Sequence, residues 1–325
     1  MNCILSDLDV KQTYIGRMAH KQGIKMAKYL PLNSGSALAQ EFAYVTGKVF
    51  GDGHIDQNYS AVFVGSCEEV AGLAQYLQSN FHLDKLKLSE KKAKGVSYQL
   101  RLNDSLFGRI LVCLGAPKGN KTRQNIFVPN WILNDQSCRK RFLQALFEDE
   151  LSTIKIEKKS HAISPKFKMV KNIAFIHNLS EFLSEVKTSA ESFGIECSKL
   201  SRPVLKENAS FEMYFCIRRN KLNILKFRDN IGFSRFHKKW FVLNECCTIL
   251  EATKHYHKTP YERNQIVRLR KEGNSLRTIS RMFYVSPSTV QRITTRPTTI
   301  PIAKTKYAGD VIRTREPTKG QDVSR

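Results

Sequence analysis

FAYVTGKVFGDGHI (residues 42–55) and FLQALFEDELSTI (residues 142–154) are two versions of one pattern, a helix that runs into an acidic end. In the first, Ala43, Gly47 and Gly51 recur at i, i+4 and i+8 and fall along one helix face with almost no side chain. Side chains at a contact set the distance between helix axes, so such a face predicts close helix packing. In the second, Ala145 stands where Gly47 does and Glu150 where Asp52 does, each 98 positions further on. Helices packed side by side about a pseudo-twofold axis would bring Asp52 and Glu150 together at one end.

The elements that follow each motif repeat too. After the first, the pattern predicts strands at 54–57 and 59–66, a helix at 68–81, strands at 85–90 and 96–103 and a helix near 105–114. After the second, it predicts strands at 152–158 and 166–177, a helix at 180–193, strands at 195–200 and 210–218 and a helix from 220. Both halves read α-β-β-α-β-β-α. LGAPKGNK (114–121) matches IGFSRFHK (231–238), with lysine six residues after glycine in each.

The chain has 325 residues, 53 Lys and Arg against 29 Asp and Glu, and a net charge of +24. At 41% hydrophobic and 10% aromatic residues it is no disordered polyelectrolyte, and its length allows two or three domains. An excess of positive charge on a folded chain points to nucleic acid. No run approaches the about 18 apolar residues of a membrane span, and MNCILSDLDVKQTY lacks the basic and apolar regions of a secretion signal. An intracellular protein without a membrane partner is expected. The eight cysteines form no C-x-x-C pair, so zinc-finger spacing is absent.

The later strands alternate. Val96, Tyr98, Leu100 and Leu102 oppose Ser97, Gln99, Arg101 and Asn103; Phe211, Met213, Phe215 and Ile217 oppose Glu212, Tyr214, Cys216 and Arg218. Arg suits guanine, Gln and Asn suit adenine and Ser either base, so Ser97, Gln99, Arg101, Asn103, Tyr214 and Arg218 are candidate contacts to double-stranded DNA. At the helix ends, Asp52 and Glu150 sit where the macrodipole is negative, and each adds to the other's repulsion. Two acids so placed imply a cation between them, and oxygen ligands without His or Cys imply Mg²⁺, for which Mn²⁺ can substitute. Gly51 and Asp149 are further candidate metal ligands beside Asp52 and Glu150. Carboxylates, a divalent metal and DNA together suggest phosphodiester hydrolysis.

The two motifs, their 98-residue offset and the Pro-x-Trp of NIFVPNWIL (125–133) resemble the single-chain LAGLIDADG homing endonucleases over roughly residues 35–250. That resemblance implies an α+β fold in which two pseudo-symmetric αββαββα repeats form a DNA-binding saddle in a monomer. It implies that Asp52 and Glu150 ligate the metals and that one lysine from each half lies near the scissile phosphates. Lys121 and Lys238 are the candidates from the G-x5-K repeat, with Lys118 and Lys239 as neighbours. It also implies a staggered double-strand cut in a long target and, commonly, an intron-encoded gene. Leu151 departs from the family, which has glycine there as Gly53 is in the first half; glycine would supply a left-handed turn, and a leucine pays for positive φ or forces another cap.

Residues 260–295 resemble a helix-turn-helix of the resolvase or transposase type. A helix stops at Gly273, a second carries Leu276 and Ile279, and Ser286-Pro287 opens a third whose apolar face includes Val290 and Ile293. Ser288, Thr289, Gln291 and Arg292 are the candidate DNA contacts, with Arg277 and Arg281 on the backbone. The expected organisation is a helical extension (1–35), two repeats (36–137 and 138–252), a small all-α helix-turn-helix domain (258–296) and a basic, disordered tail (297–325). A DNA-binding regulator without nuclease activity and an intron-splicing maturase are the alternatives to an endonuclease. An intein is not expected, because the chain begins with Met1 and ends in Val323-Ser324-Arg325.

Overall fold

The computed structural model describes residues 3–6, 9, 28–93, 95–154, 156–157, 161–162, 164–206, 209–252, 260–283 and 285–295. Most of the expected N-terminal helical extension and all of the tail after Thr295 lie outside them. Contacts divide the chain into two units, Met1–Tyr256 and His257–Arg325.

The first unit is α+β and holds two repeats. Strands β1 (Cys3–Leu5) and β2 (Leu32–Asn33) pair ahead of them. The first repeat runs α1 (Ala37–Phe50), β3 (His54–Ile55), β4 (Ala61–Gly65), α2 (Cys67–Phe81), β5 (Leu86–Ala93), β6 (Gly95–Leu102) and α3 (Ser105–Cys113). Its sheet has the order β3-β4-β6-β5, antiparallel throughout. Helix α4 (Asn130–Asn134) then leads to α5 (Gln136–Glu150), with the Trp131 indole donating to the Leu114 carbonyl at 2.8 Å.

The second repeat continues with β7 (Ile156–Glu157), β8 (His161–Ala162), β9 (Lys166–Asn172), α6 (Ile176–Glu191), β10 (Val204–Lys206), β11 (Ser210–Cys216), α7 (Lys221–Asn230) and α8 (Lys238–Ala252). Its main sheet is β10-β11-β9, and among the described residues β7 pairs with β8.

Capping explains where the helices begin. Ser36 accepts from the Ala39 amide, Ser66 and Glu69 form a reciprocal capping box, and Asp104, Asp135 and Asn220 cap α3, α5 and α7. Helices α1 and α5 pack along the small-residue face. A Cβ on Gly47 would lie 2.5 Å from the Phe142 carbonyl oxygen and 2.9 Å from the Ala145 Cβ. Around this seam Phe42, Phe50, Phe142 and Phe147 are buried, with Phe42 stacked on Phe107 and Phe50 on Phe182.

The second repeat departs from the expected strands in three places. The strand expected at 195–200 is absent: Cys197 makes one bridge to Ile217, and the Cys216 and Tyr214 amides donate to the hydroxyls of Ser198 and Ser201. Side-chain oxygens there take the place of strand carbonyls, and the regular ladder forms only at β10. At 152–158 the Ser152 hydroxyl likewise accepts from the Lys166 amide, and among the described residues of that segment the strand is Ile156–Glu157. The strand expected at 166–177 stops at Asn172, whose side chain accepts from the Ala174 amide and opens a short 3-10 turn.

Leu151 ends its helix by another cap, without a left-handed turn. Its φ is −81°, it is 1% exposed, and it bridges to Phe167. Gly53 is not in the left-handed region either; it is required for space, since a Cβ would lie 2.7 Å from the Lys48 carbonyl oxygen and 2.9 Å from Phe63. Glycine is thus not needed at this position in the second half. Leu151→Gly should lower unfolding stability by ~2–4 kcal/mol in urea denaturation, because it empties a core site without relieving strain.

In the second unit, α9 (Pro260–Lys271), α10 (Leu276–Met282) and α11 (Pro287–Thr295) surround Ile266, Ile279, Val290 and Ile293. Ser275 and Ser286 cap α10 and α11 through the Thr278 and Thr289 amides. Among the described residues no helix is long and apolar enough to cross a membrane.

Candidate DNA-cleavage site

Asp52 and Glu150 line one groove where α1 and α5 end side by side. Lys121, Lys168, Lys171 and His54 share its walls. Asp52 is solvent-exposed yet densely surrounded; that crowding and the charge of Asp149 push its carboxyl up, against Lys121, Lys48 and Lys239. Glu150 is half-buried, and burial followed by the charge of Asp52 lifts it to about 7.

Each helix end is held by a lysine. Lys121 Nζ donates to the carbonyls of Val49 (2.9 Å), Phe50 (3.1 Å) and Gly51. Lys239 Nζ donates to those of Leu151 (2.7 Å), Glu148 and Phe147 (3.5 Å). These are the carbonyls a helix leaves without partners at its C-terminus, where positive charge also complements the macrodipole. Burial pushes both lysines below their usual range.

Lys121 thus clamps the first helix end, and at the second the matching contacts are made by Lys239, one of the two neighbours, and not by Lys238. Lys238 is exposed, and its Nζ lies 3.2 Å from Glu69. The glycines of the repeated G-x5-K do correspond: Gly115 and Gly232 both have positive φ. After Gly232 the chain reaches the site one residue later, because α8 begins at Lys238 and turns the next side chain inward. A one-residue slip of this kind is invisible in the spacing of a short motif. Lys239→Met should lower stability by ~2–4 kcal/mol in urea denaturation, as buried carbonyls lose their donor, while Lys238→Met stays within about 0.5 kcal/mol.

Behind the groove lies a buried ionic cluster that the sequence reading missed. Lys48 Nζ is 2.7 Å from Asp149 Oδ1 and 3.0 Å from Glu148 Oε2. Glu148 also accepts from the Tyr44 hydroxyl (2.6 Å) and from the Ser234 amide (2.6 Å) and hydroxyl (2.5 Å). Burial alone would raise Glu148, but Lys48, His237 and these hydrogen bonds hold it below its ordinary value. Lys48 rises well above its own despite burial, under the charges of Asp149, Tyr44 and Glu148. A lysine in the middle of an apolar helix repeat was the available signal.

Two of the four expected metal ligands are occupied. The Asp149 carboxylate accepts from Lys48 and from the Asp52 amide (3.1 Å), and the Gly51 carbonyl accepts from Lys121. Asp52 and Glu150 are left, their carboxylate oxygens accepting no hydrogen bond among the described residues. Among the described residues no group of three or more His, Cys, Asp or Glu side chains converges as a metal cage. A pair of carboxylates nevertheless fits Mg²⁺, which is commonly held by one or two carboxylates with water and substrate phosphates completing its shell.

The expected base-reading side chains take the open faces of the sheets. Gln99 and Arg101 on β6 are half-buried opposite Ser89 and Lys87, and Tyr214 on β11 opposes the exposed Lys168 of β9. Ser97 is half-buried, and Asn103 and Arg218 are exposed. Arg101 is not free: its guanidinium lies 2.8 Å from Asp56, a carboxylate also fixed by the Asn58 and Ser60 amides. Lys166 Nζ lies over the Tyr214 ring at 4.1 Å, and Lys118 over Tyr59 at 3.8 Å. On α11, Ser288, Gln291 and Arg292 are exposed, while the Thr289 hydroxyl is 2.9 Å from Ser286 in the cap.

Residues 257–294 match the family model of the helix-turn-helix domain. Curated relatives include DNA-directed RNA polymerase subunit Rpo1N of Methanocaldococcus jannaschii, 30% identical over 53% of this chain and 14% of that protein. Another is tRNA-splicing ligase RtcB of Pyrococcus furiosus, 27% identical over 53% of this chain and 19% of that protein. The chain thus spans less than a fifth of the length of either. Similar solved structures include mesophilic variants of the homing endonuclease I-DmoI, at 15% identity and TM-score 0.41 over 64% of this chain and 98% of that one. The homing endonuclease I-WcaI bound to its DNA recognition sequence gives 14% and 0.42 over 71% and 97%. The N-terminal LAGLIDADG domain of DUF199/WhiA gives 14% and 0.39 over 72% and 98%. Solved structures similar to this chain thus include homing endonucleases and a LAGLIDADG domain, and the helix-turn-helix match covers residues 257–294.

Proposed function

We propose that this chain is a site-specific, divalent-metal-dependent DNA endonuclease that makes a staggered double-strand cut in a long target. The reading is carried by one observation: Asp52 and Glu150, one from each repeat, line the same groove at the paired helix ends, where burial and the charge of Asp52 raise Glu150. A protein that only bound DNA would gain nothing from facing it with two costly anions. Asp52 and Glu150 would hold the Mg²⁺ or Mn²⁺, and the metal would supply an activated hydroxide and neutralise charge on the leaving oxygen. Lys121 and Lys239 keep the two carboxylate-bearing ends in place; Lys168 brings positive charge to the phosphates along the groove wall.

The open sheet faces would lie on the duplex, with Ser97, Gln99, Asn103, Tyr214 and Arg218 near the bases. Arg101 contributes there only after exchanging its Asp56 partner. The halves differ in sequence, so the target is asymmetric and a monomer suffices. The exposed Ser288, Gln291 and Arg292 of the helix-turn-helix would lengthen the footprint. RNA polymerase subunit and RNA ligase are different activities, and a segment similar to a small part of each supports a portable, intron-encoded or free-standing unit rather than either activity. Action on DNA places the protein inside the cell.

The helix-turn-helix match also favours a second reading, a regulator that binds without cutting. Incubation with a randomised duplex library and Mg²⁺, followed by sequencing of cut ends, separates the two. Recurrent staggered ends support the endonuclease; enrichment of bound but uncut sequence supports the regulator. Cleavage should also rise with pH through about 7, because metal needs the ionised Glu150. A Glu150→Asp variant, with a less crowded carboxyl, should shift the midpoint of the pH–rate curve downward.

A further inference from the structure

We propose that Asp149 is a positioning residue that fixes Asp52 across the repeat interface and makes the two half-sites unequal, so that the two target strands are cut at different rates. Asp52 stands just beyond α1. The Gly51 and Gly53 amides return to the carbonyls of Gly47 (3.0 Å) and Lys48 (2.9 Å), but the Asp52 amide reaches across to Asp149 Oδ2 at 3.1 Å. Asp149 Oδ1 is held by Lys48 at 2.7 Å, Lys48 by Glu148 at 3.0 Å, and Glu148 by Tyr44 and Ser234. A chain of fixed side chains thus runs from the core to the backbone of the carboxylate residue. Gly51 makes room for it, since a Cβ there would lie 2.6 Å from the Asp149 Cβ.

The other half has no counterpart. Along the 98-residue offset, Gly51 matches Asp149, Leu146 matches Lys48 and Phe50 matches Glu148, and none of these three carries a polar side chain. Glu150 is the last residue of α5, and its position depends on that helix and on Lys239. The lysine clamps occur in both halves and cancel in any comparison; the Asp149 tether does not. A misplacement of about 1 Å at a reacting group can cost on the order of 100-fold, so a tether on one carboxylate alone is enough to separate two rates.

The consequence for cleavage rests on the endonuclease reading, and the tether itself is tested apart from it. In amide hydrogen exchange, the Asp52 amide should be protected in the unaltered protein and exchange at least ~10-fold faster in Asp149→Ala, with Val186 of α6 unchanged. Asp149→Asn keeps an acceptor oxygen and should restore part of the protection. With a supercoiled plasmid carrying the target, the parent should pass through the nicked circle, and Asp149→Ala should slow its faster strand by ~10-fold or more and the other by less than about threefold, at unchanged DNA affinity. Where Asp149→Ala does not fold, Lys48→Arg displaces the same donor and gives both readouts. Equal exchange at Asp52 in variant and parent overturns the tether, whether or not the protein cuts. Faster exchange with both strands slowed alike overturns the inequality. A parent that exchanges as expected but cuts nothing defeats the endonuclease reading and leaves the tether standing.

Discussion

Asp52→Asn and Glu150→Gln should each reduce DNA cleavage by ~1,000-fold or more while leaving target affinity within about threefold. Each substitution keeps the shape of the side chain and removes one of the groove's two carboxylates, neither of which accepts a hydrogen bond among the described residues. In the proposed reading affinity comes from the lysines and the open sheet faces, so binding should survive. Stability moves the other way. Burial and the charge of Asp52 raise Glu150 to about 7 in the fold, against 4.5 as an unperturbed carboxyl. Between those values the folded chain holds a proton that the unfolded chain has released, so metal-free stability falls as pH rises through that window. At pH 8 and without metal, Glu150→Gln should therefore unfold at higher urea than its parent, by ~1–3 kcal/mol. Added Mg²⁺ should stabilise the parent and not the variant. A variant that lost stability and activity together would show Glu150 to be part of the framework.

Gly47→Leu should prevent the two repeats from packing, and Gly47→Ala should already cost ~2–4 kcal/mol in urea denaturation. The atoms in the way are the Phe142 carbonyl oxygen at 2.5 Å and the Ala145 Cβ at 2.9 Å, both fixed to the backbone of α5 and unable to rotate aside. Relief would require the helices to separate, and that opens the contacts around Phe42, Phe50, Phe142 and Phe147. The ends carrying Asp52 and Glu150 move with the helices, so cleavage should fall with stability. Gly194→Ala is the comparison: its φ is +75° but nothing lies within 4 Å, so its cost is backbone strain alone, about 1 kcal/mol. Similar losses at both positions would show that the seam tolerates separation.

Much of the architecture was legible because it depends on periodicity. The Ala43, Gly47 and Gly51 face, the duplicated order of elements and the alternation in β6 and β11 each follow from a spacing along the chain. The missing strand at 195–200 was not legible, because hydroxyls of Ser198 and Ser201 replace backbone acceptors without altering the apolar pattern. Leu151 looked like a defect only because a family glycine was assumed to need positive φ; the second helix leaves by an extended residue instead.

The amino-acid sequence by itself determined the two repeats, the placing of Asp52 and Glu150 at equivalent helix ends, the helix-turn-helix and the excess of positive charge. All of these are carried by composition or by periods of 2, 3.6 and 98 residues. The tertiary structure decided which lysine closes the second helix end, that Asp149 and Gly51 are already engaged, that Arg101 is held by Asp56, and that Lys48, Glu148 and Asp149 form one buried cluster. Those choices join residues 45 to 101 positions apart through contacts of about 3 Å, and a one-residue shift in either partner reverses them, so no local pattern can encode them.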